Sequence, residues 1–255
     1  MLDKNRRRLL EKTLPEGIVV SRKWLENTLH LQKHAIDNLV KSEYLKSVHK
    51  GYYVRGMFLH SWQAMVYTLQ HYMQTDLVVG GINALQLQDE YLPCYEVIPV
   101  QLYGETTLPS WLKTIGVLHR FTKYSSRAVY DEFDAATTAM LTTLYSWREE
   151  LQPLRISCKE KAFLEFLLHV SDEQSFKQAI TICQQMNASS MEKWQLLLEK
   201  CVNVKIKRLF LWLVSQYQPT WLNHLDLSKV YLGSGNRVIV KNGRLDTTYH
   251  ITVPK

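Results

Sequence analysis

Apolar residues near the start of the chain first follow a helical spacing. Ser21 stands where a helix needs an N-cap, because its hydroxyl can accept hydrogen bonds from the free backbone N–H groups of the first turn. Trp24 and Leu25 supply the apolar face of this short helix, which is predicted to end near Thr28. The sequence therefore predicts a capped helix of about two turns.

A second predicted helix runs from about residue 32 to residue 41. Its apolar positions have the three-then-four spacing of one buried stripe, and they are Ala35, Ile36, Leu39 and Val40. Two extended stretches follow at residues 44–48 and 52–55, separated by a turn at residues 49–51. Two helices joined by a corner and followed by a hairpin predict a winged helix-turn-helix.

The outward face of the second helix carries amides and long cations, which are the side chains that read base edges in a DNA major groove. The predicted base contacts are Gln32, Lys33, His34 and Asn38. The predicted phosphate contacts lie on the same helices and on the wing, and they are Arg22, Lys23, Lys41, Lys46, Lys50 and Arg55. Asp37 would repel phosphate, so we expect it to face away or to orient a cation. Some winged helices pack only against proteins, and that is the alternative interpretation.

Beyond residue 56 the pattern changes between helices and short strands. Helices are predicted at 57–74, 82–88, 134–147, 157–168, 175–187, 190–201 and 204–217, and strands at 77–79, 95–103 and 116–124. Ser157 is the predicted cap of its helix, with Glu160 completing a capping box. A closing hairpin is predicted to pair residues 237–241 with 248–253 through an Asn242-Gly243 turn.

These elements predict an α+β fold in two parts. Residues 1–56 form the winged helix-turn-helix DNA-binding domain. Residues 57–255 form a larger mixed α+β domain with a C-terminal helical cluster and β-hairpin. A chain of 255 residues, 46% of them hydrophobic, is long enough for two such domains.

Charge is sorted along the chain. The net charge is +6 over residues 1–55, −5 over residues 56–200 and +6 over residues 201–255. Clustered cations suit an anionic partner. The second cluster is therefore a candidate partner or anion surface, and it comprises Lys205, Lys207, Arg208, Arg237, Lys241 and Arg244. The alternative is that these side chains bury their stems and keep their charged heads in water.

Several classes of protein are disfavoured. The four cysteines lie far apart and suggest neither a zinc site nor a disulfide framework, so buried thiols in a reducing compartment are expected. No apolar run approaches membrane-spanning length, and the N-terminus is charged. We expect a cytoplasmic protein without a membrane partner, metal or cofactor.

Short phrases in a fixed order along nearly the whole chain resemble AbiEi-type antitoxins of type IV toxin–antitoxin systems. They lie at residues 51–55, 80–85, 108–112, 160–165, 204–210, 232–237 and 249–254. The chain departs from the family pattern at Lys161, where arginine is usual, and at Asn236, where lysine is usual.

The resemblance implies a cytoplasmic bacterial antitoxin that acts in antiphage abortive infection. Its winged helix is implied to bind inverted repeats in its own promoter, as double-stranded DNA, and to repress transcription. The rest of the chain is implied to neutralise a cognate nucleotidyltransferase-type toxin, directly or indirectly.

Two other functions remain as alternatives. One is a stand-alone transcriptional regulator that senses a small ligand in the larger domain. The other is a nucleic-acid-processing enzyme, which the sequence disfavours because no acidic residue has a lysine two positions later and no metal or hydrolase motif occurs. We therefore predict no catalytic residues.

Overall fold

The computed structural model describes residues 4–57, 61–88, 99–115, 120–187 and 190–255, with residues 4–6 described by their backbone alone. Cys94 and parts of two predicted strands, at 95–98 and 116–119, lie outside these residues. The fold is mixed α+β, as predicted. None of the helices in the described ranges has the length and apolar character needed to cross a lipid bilayer.

Residues 4–57 form one compact unit, which we call the N-terminal module. Its elements in chain order are α1 (Lys4–Thr13), β1 (Val19–Ser21), α2 (Arg22–Leu29), α3 (Lys33–Lys41), β2 (Leu45–His49) and β3 (Tyr52–Arg55). The three strands form one antiparallel sheet in the order β1-β3-β2. This is the order of elements expected of a winged helix, and each predicted boundary lies within one residue of the observed one.

Local sequence signals explain the two helices of the module. The backbone N–H of Trp24 donates to Ser21 Oγ at 3.1 Å, so the predicted N-cap is confirmed. Helix α2 ends where His30 adopts a left-handed conformation (φ 49°), and α3 begins three residues later. Of the four residues of the predicted apolar stripe, Ile36 and Leu39 are buried, and Ala35 and Val40 are half-buried.

A five-stranded sheet organises the larger part of the chain, in the order β6-β5-β4-β8-β7. The strands are β4 (Val78–Val79), β5 (Val100–Tyr103), β6 (Phe121–Tyr124), β7 (Thr142–Tyr145) and β8 (Leu154–Ser157). The pairs β5–β6 and β4–β8 are parallel, whereas β4–β5 and β7–β8 are antiparallel. The sheet is therefore mixed.

Helices pack around this sheet, and the buried apolar side chains of the sheet and the helices form one core. They are α4 (Trp62–Tyr67) continued by a π-helical turn (Thr68–Tyr72), α5 (Gly81–Gln88), α6 (Trp111–Thr114), α7 (Ala135–Met140), α8 (Lys159–Leu167), α9 (Glu173–Gln185), α10 (Met191–Lys200) and α11 (Val204–Tyr217). Short 3-10 helices follow α11. Every residue from Ile206 to Val214 is buried, as the apolar sequence of α11 predicted.

Two predicted helices differ from the observed ones. Ser157 is the last residue of β8 rather than a cap, because its hydroxyl donates to the buried carboxylate of Glu165 at 3.1 Å. Helix α8 instead begins after Cys158 and has no side-chain cap. The predicted helix at 134–147 is shorter than expected, because strand β7 takes up its second half.

The C-terminal hairpin pairs different residues from those predicted. Strand β10 (Ile251–Val253) pairs with β9 (Arg244–Asp246), and Arg237 bridges to the other side of β10 in parallel. Asn242 and Gly243 do form a turn, but it leads from residues 237–241 into β9. The turn signal was correct and the partner strand was wrong.

Candidate nucleic-acid interface

The outward face of α3 is built by its buried stripe. Ile36 and Leu39 face the core of the module, so the residues about half a turn away from them point to solvent. All the predicted base contacts on this helix and at its N-cap are exposed, as is Lys41. The helix therefore presents amides and cations on one accessible ridge.

The hairpin of β2 and β3 places a second set of cations beside this helix. Gly51 has a φ of 78°, which is why a glycine is needed in the tight turn that follows Lys50. Lys46 and Lys50 are exposed, and the ring of His49 stacks on that of Tyr52 at 6.0 Å. Aromatic packing therefore holds the tip of the wing, next to the exposed Lys50, and Lys46 is exposed further along β2.

Arg22 does not extend into solvent as predicted for a phosphate contact. Its Nη2 lies 2.7 Å from Asp37 Oδ1 on α3, and its guanidinium also donates to the hydroxyl of Tyr53 on β3 at 2.7 and 3.1 Å. The hydrogen bond with Tyr53, followed by that with Asp37, raises the pKa of Arg22. Arg22 therefore ties α2, α3 and the wing together. Asp37 orients a cation, as expected.

Arg55, the other arginine among the predicted phosphate contacts, is also engaged within the module. It donates to the Leu14 carbonyl at 2.8 Å and to Glu16 at 2.9 Å, and only 16% of its side chain is exposed. In contrast, no ion pair among the described residues involves any of the five lysines proposed to contact DNA, which are Lys23, Lys33, Lys41, Lys46 and Lys50.

The larger part of the chain packs on the module through other residues. The rings of Trp24 and Tyr72 meet edge to face at 4.8 Å, and the Tyr72 hydroxyl donates to the Thr13 carbonyl at 2.9 Å. On the wing strand, Tyr52 contacts the buried Trp111 with ring centres 5.5 Å apart. These contacts leave the exposed ridge of α3 uncovered.

The second group of predicted site residues behaves differently. Arg208 is only 2% exposed, and its guanidinium donates to the carbonyls of Leu232, Gly233, Gly235 and His250. It therefore joins α11 to the C-terminal segment. The prediction that Arg208 forms part of an exposed anion surface is wrong, because its hydrogen bonds are used inside the fold.

The prediction is also wrong for the two lysines of this group that lie on α11, Lys205 and Lys207. Lys207 is 4% exposed and lies 5.9 Å from the ring centre of Tyr231. The ammonium of Lys205 donates to the carbonyls of Leu168 and Val170, at 3.3 and 2.6 Å. Burial lowers the pKa of both lysines. Neither has the water-exposed head of the alternative interpretation.

The other members of the predicted C-terminal surface remain near solvent. Lys241 and Arg244 are exposed, and Arg237 is partly buried. Arg237 donates to the carbonyl of its neighbour Asn236 at 3.1 Å. The accessible part of this surface is therefore smaller than predicted and lies around β9 and the segment that precedes it.

The most buried polar cluster was hardly predictable from the sequence. The carboxylate of Glu165 is fully buried, accepts from the Gly81 N–H at 3.0 Å and lies 3.7 Å from Lys161 Nζ. Burial raises the pKa of Glu165. The carboxylate joins the start of α5 to β8 and α8, so its role is in the fold. Only its (i, i+4) spacing from Lys161 was a signal.

A partly buried histidine lies near this cluster. His169 Nε2 is 2.9 Å from the Tyr103 hydroxyl, and burial together with the charge of Lys205 lowers its pKa to about 4. The described cysteines, Cys158, Cys183 and Cys201, are free and buried, as predicted, and burial raises the pKa of each thiol. The described residues include no group of three or more potential metal ligands.

Comparison with known proteins assigns the chain to a family. One family model, for the N-terminal domain of AbiEi antitoxin transcriptional regulators, matches residues 4–92, and a second, for AbiEi antitoxin transcriptional regulators of type IV toxin–antitoxin systems, matches residues 98–254. The crystal structure of the RV2827C protein from Mycobacterium tuberculosis has a similar fold, with a TM-score of 0.60 and 13% identity over 92% of this chain and 85% of that one. A search of curated proteins gave no significant match. The chain therefore belongs to the AbiEi family of antitoxins and transcriptional regulators of type IV toxin–antitoxin systems.

Proposed function

We propose that the N-terminal module is a winged helix-turn-helix that binds double-stranded DNA. In this proposal it binds inverted repeats in the promoter of its own gene and represses transcription. Helix α3 enters the major groove, and the wing and the start of α2 contact the flanking phosphates. The division into a DNA-binding domain at residues 1–56 and an antitoxin domain at residues 57–255 is part of the same proposal.

One observation carries this proposal. The amides and lysines of α3 are exposed on a single ridge beside the cationic wing, while the larger domain packs on the module through Trp24 and Tyr52. Lysines without an ion pair are available to replace the counterions of phosphate groups. The family assignment as a transcriptional regulator agrees with this use.

A mobility-shift titration tests DNA binding. The probe is the duplex upstream of the gene, with a scrambled duplex of equal length as competitor, at salt concentrations from 50 to about 200 mM. We expect a shift that survives the scrambled competitor and weakens steeply with salt. Equal affinity for both duplexes, or no shift at 50 mM salt, would contradict sequence-specific repression.

We further propose that the larger domain opposes a nucleotidyltransferase-type toxin encoded beside this gene. Its accessible cations, Arg237, Lys241 and Arg244, are the candidate contacts for an acidic partner. Lys207 and Arg208 are not candidate contacts, because both side chains are buried in the fold.

Co-expression with the neighbouring toxin gene tests this second part. We expect wild-type chain to restore growth, and the double variant K241E/R244E to fail while still shifting promoter DNA. The matched control is K159E/K177E, which reverses two exposed lysines on α8 and α9. Full neutralisation of the toxin by K241E/R244E would show that these two residues do not take part in opposing it.

A further inference from the structure

We propose that Asp37 is a specificity-determining residue of α3, which accepts a hydrogen bond from the N4 amino group of a cytosine in the major groove, and that Arg22 is the positioning residue that holds it there. This inference rests on the proposed DNA binding. Nothing in the family assignment designates a base-reading residue.

Asp37 lies at the border of the exposed ridge of α3 and is itself half-buried. Lys33, Asp37 and Lys41 are spaced four residues apart and so form one row along the helix. Asp37 lies about 100° around the helix axis from the buried Ile36, so the row flanks the buried stripe, beside the exposed face of His34 and Asn38. With 42% of its side chain exposed, the carboxylate is partly accessible, next to the ridge on which DNA is proposed to lie.

The carboxylate is fixed by a residue of another helix. Lys33 and Lys41 are each one turn away from Asp37, yet its ion pair is with Arg22 at the start of α2, at 2.7 Å. Arg22 is held in turn by the buried Tyr53, whose hydroxyl accepts hydrogen bonds from both Nε and Nη2 of Arg22. The two lysines are thereby left free to contact DNA, and the carboxylate is held in one orientation.

One oxygen of the carboxylate remains available. The Arg22 guanidinium contacts Oδ1, and none of the residues described here donates to Oδ2. An ionised carboxylate only accepts hydrogen bonds, so Oδ2 is matched by a donor. Phosphate offers no donor and repels the negative charge. On the floor of the groove the donors are the amino groups of cytosine and adenine.

Cytosine fits this acceptor better than adenine. The adenine amino group lies beside N7, an acceptor that repels a carboxylate, whereas the cytosine amino group has a C–H beside it. Thymine presents a carbonyl oxygen at the equivalent position and is rejected. Asp37 is therefore expected to favour a C·G pair and to penalise T·A most strongly.

Selection of binding sites from a random duplex library tests the proposal with the full-length chain. We expect wild type to select one conserved cytosine in each half-site, D37A to lose the preference there alone, and D37N to shift it towards adenine, which pairs with an amide. The control E26Q removes a negative charge from the neighbouring helix α2 and should select the wild-type motif. An unchanged motif for D37A and D37N would overturn the proposal.

Affinities for single duplexes give the size of the effect. Replacing the selected C·G pair by T·A should weaken wild-type binding roughly 5- to 150-fold, the usual range for losing one specific base contact. D37A should bind the two duplexes almost equally. If D37A discriminates between them as wild type does, another residue reads this base.

A purely structural ion pair makes a different prediction for Arg22. If Arg22 positions Asp37, R22Q should flatten the preference at the selected position, and R22K should retain part of it because the charge remains without the second hydrogen bond to Tyr53. If the pair is only structural, R22Q should lower the melting temperature and leave the motif unchanged, which would overturn the positioning role.

Failure of this inference is separable from failure of the proposed function. A wild-type chain that selects no motif at low salt refutes sequence-specific DNA binding. A wild-type chain that selects a motif shared by D37A refutes only the role of Asp37.

Discussion

The segment before residue 56 and the segment after residue 200 have the same net charge of +6, with 12 lysines and arginines in the first and 8 in the second. The structure uses them differently. Lys33 and Lys41 lie on the exposed ridge of α3, whereas Lys207 and Arg208 lie in α11 and are 4% and 2% exposed. The net charge of a segment does not show whether its cations face water. The width of the buried stripe on each helix decides that.

The two helices differ in that width. Helix α3 buries only Ile36 and Leu39 completely, so its other face is free for charge. Helix α11 is buried continuously from Ile206 to Val214, so a cation in its first turns must enter the fold. Once inside, it needs acceptors, and the carbonyls of the C-terminal segment supply them for Arg208.

The largest effect that tests this contrast is on stability at Arg208. We expect R208M to lower the free energy of unfolding by about 3 kcal/mol or more, because the buried guanidinium is lost and four backbone carbonyls lose a charged donor. Urea denaturation measures the change. R208K, which keeps the charge without the planar guanidinium, should lie between R208M and wild type. A loss below about 0.5 kcal/mol would show that Arg208 is not needed inside the fold.

For the exposed lysines of α3 we expect the reverse of Arg208, which is a large effect on DNA binding and almost none on stability. In K33A/K41A we expect the slope of log affinity against log salt to fall by about 1, because the phosphate contact proposed for Lys41 contributes about 0.9, whereas Lys33 is proposed to contact a base. The free energy of unfolding should change by less than about 0.5 kcal/mol, as is usual for surface residues. Salt titrations of DNA binding and urea denaturation measure the two quantities.

The control for this variant removes the same charge elsewhere. K159A/K177A takes two exposed lysines from the larger domain and should leave the salt slope unchanged. If both double variants lower the slope equally, the effect comes from net charge rather than from the ridge of α3.

Local signals predicted the N-terminal module well. The cap at Ser21, the stripe of Ile36 and Leu39 and the tight turn at Gly51 each depend on residues close in sequence. The exposure of Lys33 and the other α3 residues followed from the same stripe. The contact of Arg22 with Tyr53 did not, because nothing local distinguishes Tyr53 from Tyr52 as its partner.

The larger domain was predicted less well because distant contacts override local ones. Ser157 is a good cap in isolation, but the buried Glu165 takes its hydroxyl. Asn242 and Gly243 form their turn, yet β10 pairs with the strand after that turn. The cations of α11 were misjudged for the same reason, because their carbonyl partners lie 24 or more residues away in the case of Arg208.

The lowered pKa of His169 predicts that the stability of the larger domain depends on pH. His169 has an ordinary pKa of 6.5, and burial and Lys205 lower it to about 4 in the folded chain. Between these values the unfolded chain binds the proton more strongly, so protonation favours unfolding. We expect the free energy of unfolding to fall as pH is lowered from about 6.5 to 4, and H169Q to lack this component. Equal pH dependence of the two proteins would contradict the lowered pKa.

The weakest effect on stability is expected for the exposed cations of the C-terminal segment. Lys241 and Arg244 are exposed, a short distance along the chain from the residues that Arg208 holds. We expect K241A/R244A to change the free energy of unfolding by less than about 0.5 kcal/mol in urea denaturation, against the large loss in R208M. A loss comparable to that of R208M would mean that this segment uses all its cations structurally. The toxin-opposing role proposed for Lys241 and Arg244 would then have no free charge to act through.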